Sequence, residues 1–126
     1  MDKKAVFTLS APAAIGPYSQ AVLLDHLLFV SGQLPIDMET GALISGDIAK
    51  EVRVIFRNIQ AILEAADSSL DKILKVTVFV QDMSLFAALN EEYRKHFHEP
   101  FPAREVIQVA GLPKGAEVEI SVIAFR

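Results

Sequence analysis

The chain has 126 residues, 52% of them hydrophobic, with a formal net charge of −4 and no cysteine. That length fits one domain spanning 1–126 with a real core, and the missing thiols exclude disulfides, thiolate metal sites and cysteine nucleophiles. The acidic balance, with basic residues scattered and no run longer than Lys3-Lys4, argues against a nucleic-acid surface. An apolar content this high in so small a domain points to association with other subunits. The N-terminal residues lack the apolar core of a signal peptide. The densest apolar stretch, Ala21 to Val30, is broken by Asp25 and His26 and is too short to span a bilayer. The expectation is a cytoplasmic protein without a membrane partner.

In chain order, Ala5–Leu9 predicts a short strand. Ala11–Ser19, with two prolines and a glycine, predicts loop. Ala21–Leu24 and Leu27–Val30 flank Asp25-His26 as the arms of a hairpin, and Ser31-Gly32-Gln33-Leu34-Pro35 ends the second arm. Asp37–Gly46 is polar loop. Asp47 predicts an N-cap, with Glu51 in the early turns where the helix dipole favours an acid. Ile48, Val52, Ile55, Phe56, Ile59, Ile62 and Leu63 then recur at helical spacing, and Asp67-Ser68-Ser69 closes the helix. Ile73–Val80 is rich in β-branched residues and predicts a strand. Asp82 caps a second helix carrying Leu85, Phe86, Leu89, Tyr93 and Phe97, stopped by Pro100 and Pro102. A final pair of strands, from Arg104 to Val109 and from Val118 to Ala124, is expected to fold as a hairpin about Gly111-Leu112-Pro113-Lys114-Gly115. The order β-β-β-α-β-α-β-β predicts an α+β fold, one sheet with both helices on one face. Its other face is left to be covered by neighbouring subunits.

Three constellations bear on chemistry. His96 and His98 stand at i and i+2, which do not share a helix face; His26 is the only other histidine, and no acid cluster has ligand spacing, so no metal is expected. Ser31 precedes Gly32, but the Gly-x-Ser-x-Gly elbow of hydrolases is missing, and neither Gly-x-Gly-x-x-Gly nor the end of a P-loop occurs. The third is Arg104 with Glu119, a cation and a carboxylate set among β-branched residues. If the last two strands pair, the two come close. Spacing alone leaves two readings open: a structural ion pair, or a site in which the arginine fork grips an anion and the glutamate handles water or a proton.

The ordered blocks Ala11-Pro12-Ala13-Ala14-Ile15-Gly16-Pro17-Tyr18-Ser19-Gln20-Ala21, Phe29-Val30-Ser31-Gly32-Gln33-Leu34-Pro35, Phe86–Tyr93, Pro102-Ala103-Arg104, Leu112-Pro113-Lys114-Gly115-Ala116 and Val118-Glu119-Ile120 resemble the Rid family (YjgF/YER057c/UK114, reactive intermediate deaminases). The resemblance covers nearly the whole chain. It implies a chorismate-mutase-like homotrimer with ligand clefts between subunits, and a cofactor-independent, water-dependent deamination of 2-imino acids or their enamine tautomers to 2-keto acids. By the same resemblance, Arg104 grips the substrate carboxylate, Glu119 positions water and Tyr18 lines the cleft. Gly32, next to Ser31, allows close backbone approach, and Phe86 and Asn90 reach the cleft from a helix. Two positions depart from the pattern, Glu105 and Val106, and they bear on substrate preference. Glu105 is expected to point away from Arg104 by strand alternation. The competing expectations are a non-catalytic binder of small keto acids and an RNA-cleaving translation inhibitor.

Overall fold

The computed structural model describes residues 2–126. It contains strands β1 (Lys4–Val6), β2 (Ala21–Leu24), β3 (Leu27–Gln33), β4 (Ile73–Val80), β5 (Ala103–Gln108) and β6 (Val118–Phe125), with helices α1 (Ile48–Ala65) and α2 (Phe86–Arg94). The six strands form one mixed sheet in the order β1-β2-β3-β6-β4-β5, and both helices pack against it. The element order is the one the sequence predicts.

α1 forms as its signals dictate. The Asp47 side chain accepts from the Lys50 backbone N–H, and the predicted stripe faces the sheet. Val52, Ile55, Ile59, Ile62 and Leu63 are fully buried, and Phe56 is buried with them. They meet Leu28, Val30, Val76, Val78, Val80, Ile120 and Val122 from the strands in one core. Each such side chain contributes roughly 1.5–3 kcal/mol by leaving water. Glu51 does more than face the dipole. It is fully buried, and its Oε2 accepts from the Asp47 N–H at 3.1 Å.

The expected final hairpin does not form. β5 pairs with β4 in parallel, while β6 lies between β3 and β4, antiparallel to both. The composition of the two strands explains the order. β6 buries Val118, Ile120, Val122 and Ala124, so it is most stable at the centre of the sheet. β5 sends only Val106 toward the core, and its charged residues suit an edge, where they also deter pairing with another chain. The β4-α2-β5 unit is a parallel crossover over a helix.

Other boundaries shift for local reasons. β1 ends at Val6 rather than Leu9 because the Gln20 side chain captures the next backbone groups. Its Oε1 accepts from the Thr8 N–H at 2.7 Å, and its amide donates to the carbonyls of Thr8 and Pro12. β3 runs on to Gln33, with an irregularity against β6 between Val30 and Gln33. α2 is preceded by a 3-10 turn over Met83–Leu85, where the Asp82 carboxylate accepts from the Ser84 N–H. Phe97 lies past the helix end, yet it still packs on Phe56 and Tyr93, with ring centroids 5.3 and 4.8 Å away.

The sheet has two unlike faces. Val76, Val78 and Val80 of β4 point to the helices, while Thr77 and Phe79 point away. The second face carries Phe29 and Ile107, 44% and 41% exposed. Among the described residues, no helix covers it. None of the helices is long and apolar enough to cross a membrane.

Candidate functional site

Strand register assigns each predicted site residue to a face. Arg104 pairs with Val76 of β4, whose side chain faces the helices. Glu119 pairs with Phe79 of the same strand. Residues three apart on a strand point to opposite sides, so Arg104 stands on the helix face and Glu119 on the other. The structural ion pair between them, one of the two readings open from the sequence, does not exist within one chain. Among the described residues, Arg104 makes no ion pair with any carboxylate.

On the helix face, α2 supplies the surroundings of Arg104. Phe86, Asn90 and Tyr93 are spaced i, i+4 and i+7, which aligns them on one side of the helix. Asn90 Oδ1 accepts from Arg104 Nη1 at 2.6 Å. The guanidinium carbon lies 4.7 Å from the centroid of the Tyr93 ring and 5.6 Å from that of Phe86. A cleft of about 590 Å³ opens here, lined by Asn90, Tyr93, Arg94, Phe101, Pro102 and Arg104. The expected roles of Phe86 and Asn90 are therefore contacts to the arginine itself. Nothing in the sequence marks Tyr93 or Phe101 as a site residue. Tyr93 reads as helix core by its spacing, and only its place three residues after Asn90 points to Arg104.

On the opposite face, Gly32 of β3 lies against Glu119 of β6. A Cβ at Gly32 would come within 2.7 Å of Glu119 Cδ and 2.8 Å of its Oε2. Here glycine is required by proximity rather than by backbone angle. Burial pushes the Glu119 carboxyl above the ordinary glutamate range, because desolvation penalises the charged form. Ser31 Oγ donates to the Ser19 carbonyl at 2.6 Å, and the Ser31 N–H donates to the Gln20 carbonyl at 3.0 Å. Its hydroxyl therefore ties the Ala11–Ser19 loop to β3. Tyr18, in that loop, is 52% exposed, and its hydroxyl oxygen accepts from the Ile15 N–H at 3.2 Å.

The two departing positions follow strand alternation. Glu105 faces away from Arg104 and bonds Lys75 Nζ at 3.0 Å, a contact that holds its carboxyl below the usual range. Val106 shares the face of Arg104 and packs on the core. His96 Nε2 lies 3.0 Å from the buried Glu92 carboxylate, and His98 is 4.0 Å from Asp71. No group of three or more His, Asp or Glu side chains among the described residues is arranged to hold a metal ion.

One chain thus carries two half-sites, an arginine in an aromatic and amide cradle and a half-buried glutamate against a glycine. A shelf for an anion and a group that handles protons together suit water addition to a small carboxylic acid. The Endoribonuclease L-PSP family profile matches residues 8–126. A 2-iminobutanoate/2-iminopropanoate deaminase of Bos taurus is 46% identical over 98% of this chain and 90% of its own. A Rid-family protein of Yersinia pestis, described as of unknown function, superimposes with a TM-score of 0.95 at 44% identity, over 99% of this chain and 100% of its own. Escherichia coli TdcF, solved with bound serine, superimposes with a TM-score of 0.91 at 43% identity, over 98% of each chain. The chain belongs to the Rid (YjgF, endoribonuclease L-PSP) family.

Proposed function

We propose that this protein is a cofactor-independent deaminase of 2-iminobutanoate- and 2-iminopropanoate-like acids, working as a homotrimer. The observation that carries this reading is Arg104, a cation with no carboxylate partner, held at the mouth of a cleft by Asn90 and Tyr93. The relative named as an imine deaminase and the serine-bound relative support it. The uncovered apolar face supports assembly. In a cyclic assembly, that face of one subunit can meet the helix-side edge of the next and bring Glu119 toward a neighbour's Arg104.

The chemistry follows from the residue types. Arg104 binds the substrate carboxylate through its fork. Glu119, ionised, takes a proton from water as its oxygen adds to the C2 imine carbon. The C=N double bond becomes single and nitrogen gains a proton, giving a carbinolamine. Glu119 then moves the carbinolamine hydroxyl proton to that nitrogen, the C–N bond breaks and releases ammonia, and the oxygen derived from water becomes the keto oxygen. Tyr18 and the backbone at Ser31-Gly32, on the Glu119 side, line the part of the shared site that the neighbouring subunit contributes. A glutamate with a raised affinity for protons is the better base for this step.

The test couples a threonine dehydratase, which generates the imine in situ, to keto-acid release with and without this protein. Acceleration by the wild type is expected. Arg104→Lys should lower it roughly tenfold or more despite keeping the charge, since each hydrogen bond to a charged group contributes about 1.5–3 kcal/mol and the fork is lost. Full activity in Arg104→Lys would remove Arg104 from the site. Keto-acid binding by the wild type without any acceleration would favour the non-catalytic binder. The net charge of −4 disfavours the nuclease reading.

A further inference from the structure

Arg104 stands on an edge strand with its side chain exposed. A free arginine there samples many rotamers, and fixing one costs conformational entropy. Three contacts from one side of α2 restrict that freedom, the Phe86 ring being the most distant at 5.6 Å from the guanidinium carbon. Asn90 Oδ1 holds one edge of the guanidinium through Nη1 at 2.6 Å. The guanidinium carbon lies over the Tyr93 ring, 4.7 Å from its centroid, within the range where a cation is drawn to an aromatic face. An edge contact and a face contact together define the orientation of a planar group.

Tyr93 is itself fixed. It is 6% exposed, edge-on to Phe56 at 5.8 Å and against Phe97 at 4.8 Å. Its hydroxyl is buried and has no hydrogen-bond partner among the described residues. It is the ring face that meets Arg104. Burial pushes the Tyr93 hydroxyl pKa upward, which keeps it neutral beside the cation, although Arg104 opposes the shift.

We infer that Tyr93 is a positioning residue for Arg104: its ring sets the guanidinium plane while Asn90 fixes one edge, so that the remaining N–H groups are presented to the carboxylate of a small 2-imino or 2-keto acid. The inference rests on the reading of Arg104 as the carboxylate grip. Because the carboxylate is held in substrate and transition state alike, losing the ring weakens KM and leaves kcat nearly unchanged. A merely structural tyrosine would do the reverse, lowering the amount of folded enzyme without moving KM.

The experiment compares wild type, Tyr93→Leu and Tyr93→Phe by two readouts. The first, without substrate, is the NMR resonance of the Arg104 Nε–Hε group, assigned by its loss in Arg104→Lys. The second is the split between KM and kcat with imine generated in situ. In Tyr93→Leu, the resonance should lose its ring-current displacement and KM should rise roughly tenfold. Tyr93→Phe keeps the π face and should restore both values. A Tyr93→Leu protein with the wild-type resonance and KM would overturn the inference. So would a Tyr93→Phe protein that behaves like Tyr93→Leu. If the wild type turns over no imine, the deaminase reading fails, while the resonance comparison still decides whether Tyr93 orients Arg104.

Discussion

Gly32 shows how much one hydrogen atom decides. A methyl group there would sit 2.7 Å from Glu119 Cδ, too close for any real contact. The obstructing group is the end of a flexible side chain, so the carboxyl yields rather than the fold. Gly32→Ala is therefore expected to keep its melting temperature within a few degrees while kcat falls by roughly an order of magnitude, as Glu119 leaves its position. Unchanged kcat in a well-folded Gly32→Ala protein would show that the contact has no bearing on the reaction. At this scale the sequence was informative about identity and weak about company. Arg104 and Glu119 stand out as charges among β-branched residues, but the partners of Arg104 do not. Tyr93 carries the spacing of a core aromatic, and nothing local distinguishes a ring that packs on Phe56 from one that also carries a cation.

Among the elements, α1 was the most legible, because its cap and its 3.6-residue stripe are local signals that tertiary packing reinforces. The last two strands were the least legible. Gly111 to Gly115 announces a turn, but turn chemistry does not say which strands pair. That choice is made by burial, which favours the apolar β6 at the centre and leaves β5 at the edge. The N-terminus of α1 also holds a device that the sequence only half revealed. Glu51 Oε1 is buried without a hydrogen-bond partner among the described residues, and burial, followed by the adjacent Glu117, pushes its pKa up to about 7 against the bond from the Asp47 N–H, which lowers it. Glu117 in turn accepts from the Gly46 N–H at 2.8 Å. Protonated, Glu51 can donate to Glu117; ionised, it faces a like charge without water. The folded chain then holds a proton that the unfolded chain releases near the ordinary value of 4.5, so the contribution of Glu51 to stability is full below about pH 4.5 and is lost as pH rises through 7. Glu51→Gln supplies a permanent donor. Denaturant unfolding at pH 5 and pH 8 should show a smaller loss with pH in this variant than in wild type, with Glu51→Gln the more stable of the two at pH 8. A wild type equally stable at both values would contradict the shared proton.

For the molecule as a whole, the sheet faces divide the labour. One face builds the core against two helices, and the other presents Phe29, Ile107 and Glu119 with no helix over it. An apolar excess in a short chain points to such a surface, and family resemblance implies a trimer that would cover it. Neither told that the arginine and the glutamate stand on opposite faces, because the hairpin expectation had set them side by side. That separation makes the central claim specific: a working site needs Arg104 from one subunit and Glu119 from another. The direct measurement is complementation. Arg104→Ala and Glu119→Ala proteins, each inactive alone, are co-expressed and assayed for imine deamination as mixed trimers. Random mixing leaves one intact site in each mixed trimer, so activity should recover to about a quarter of wild type. Co-expressed trimers, shown by mass to be mixed, that stay as inactive as the parents would contradict a site shared between subunits.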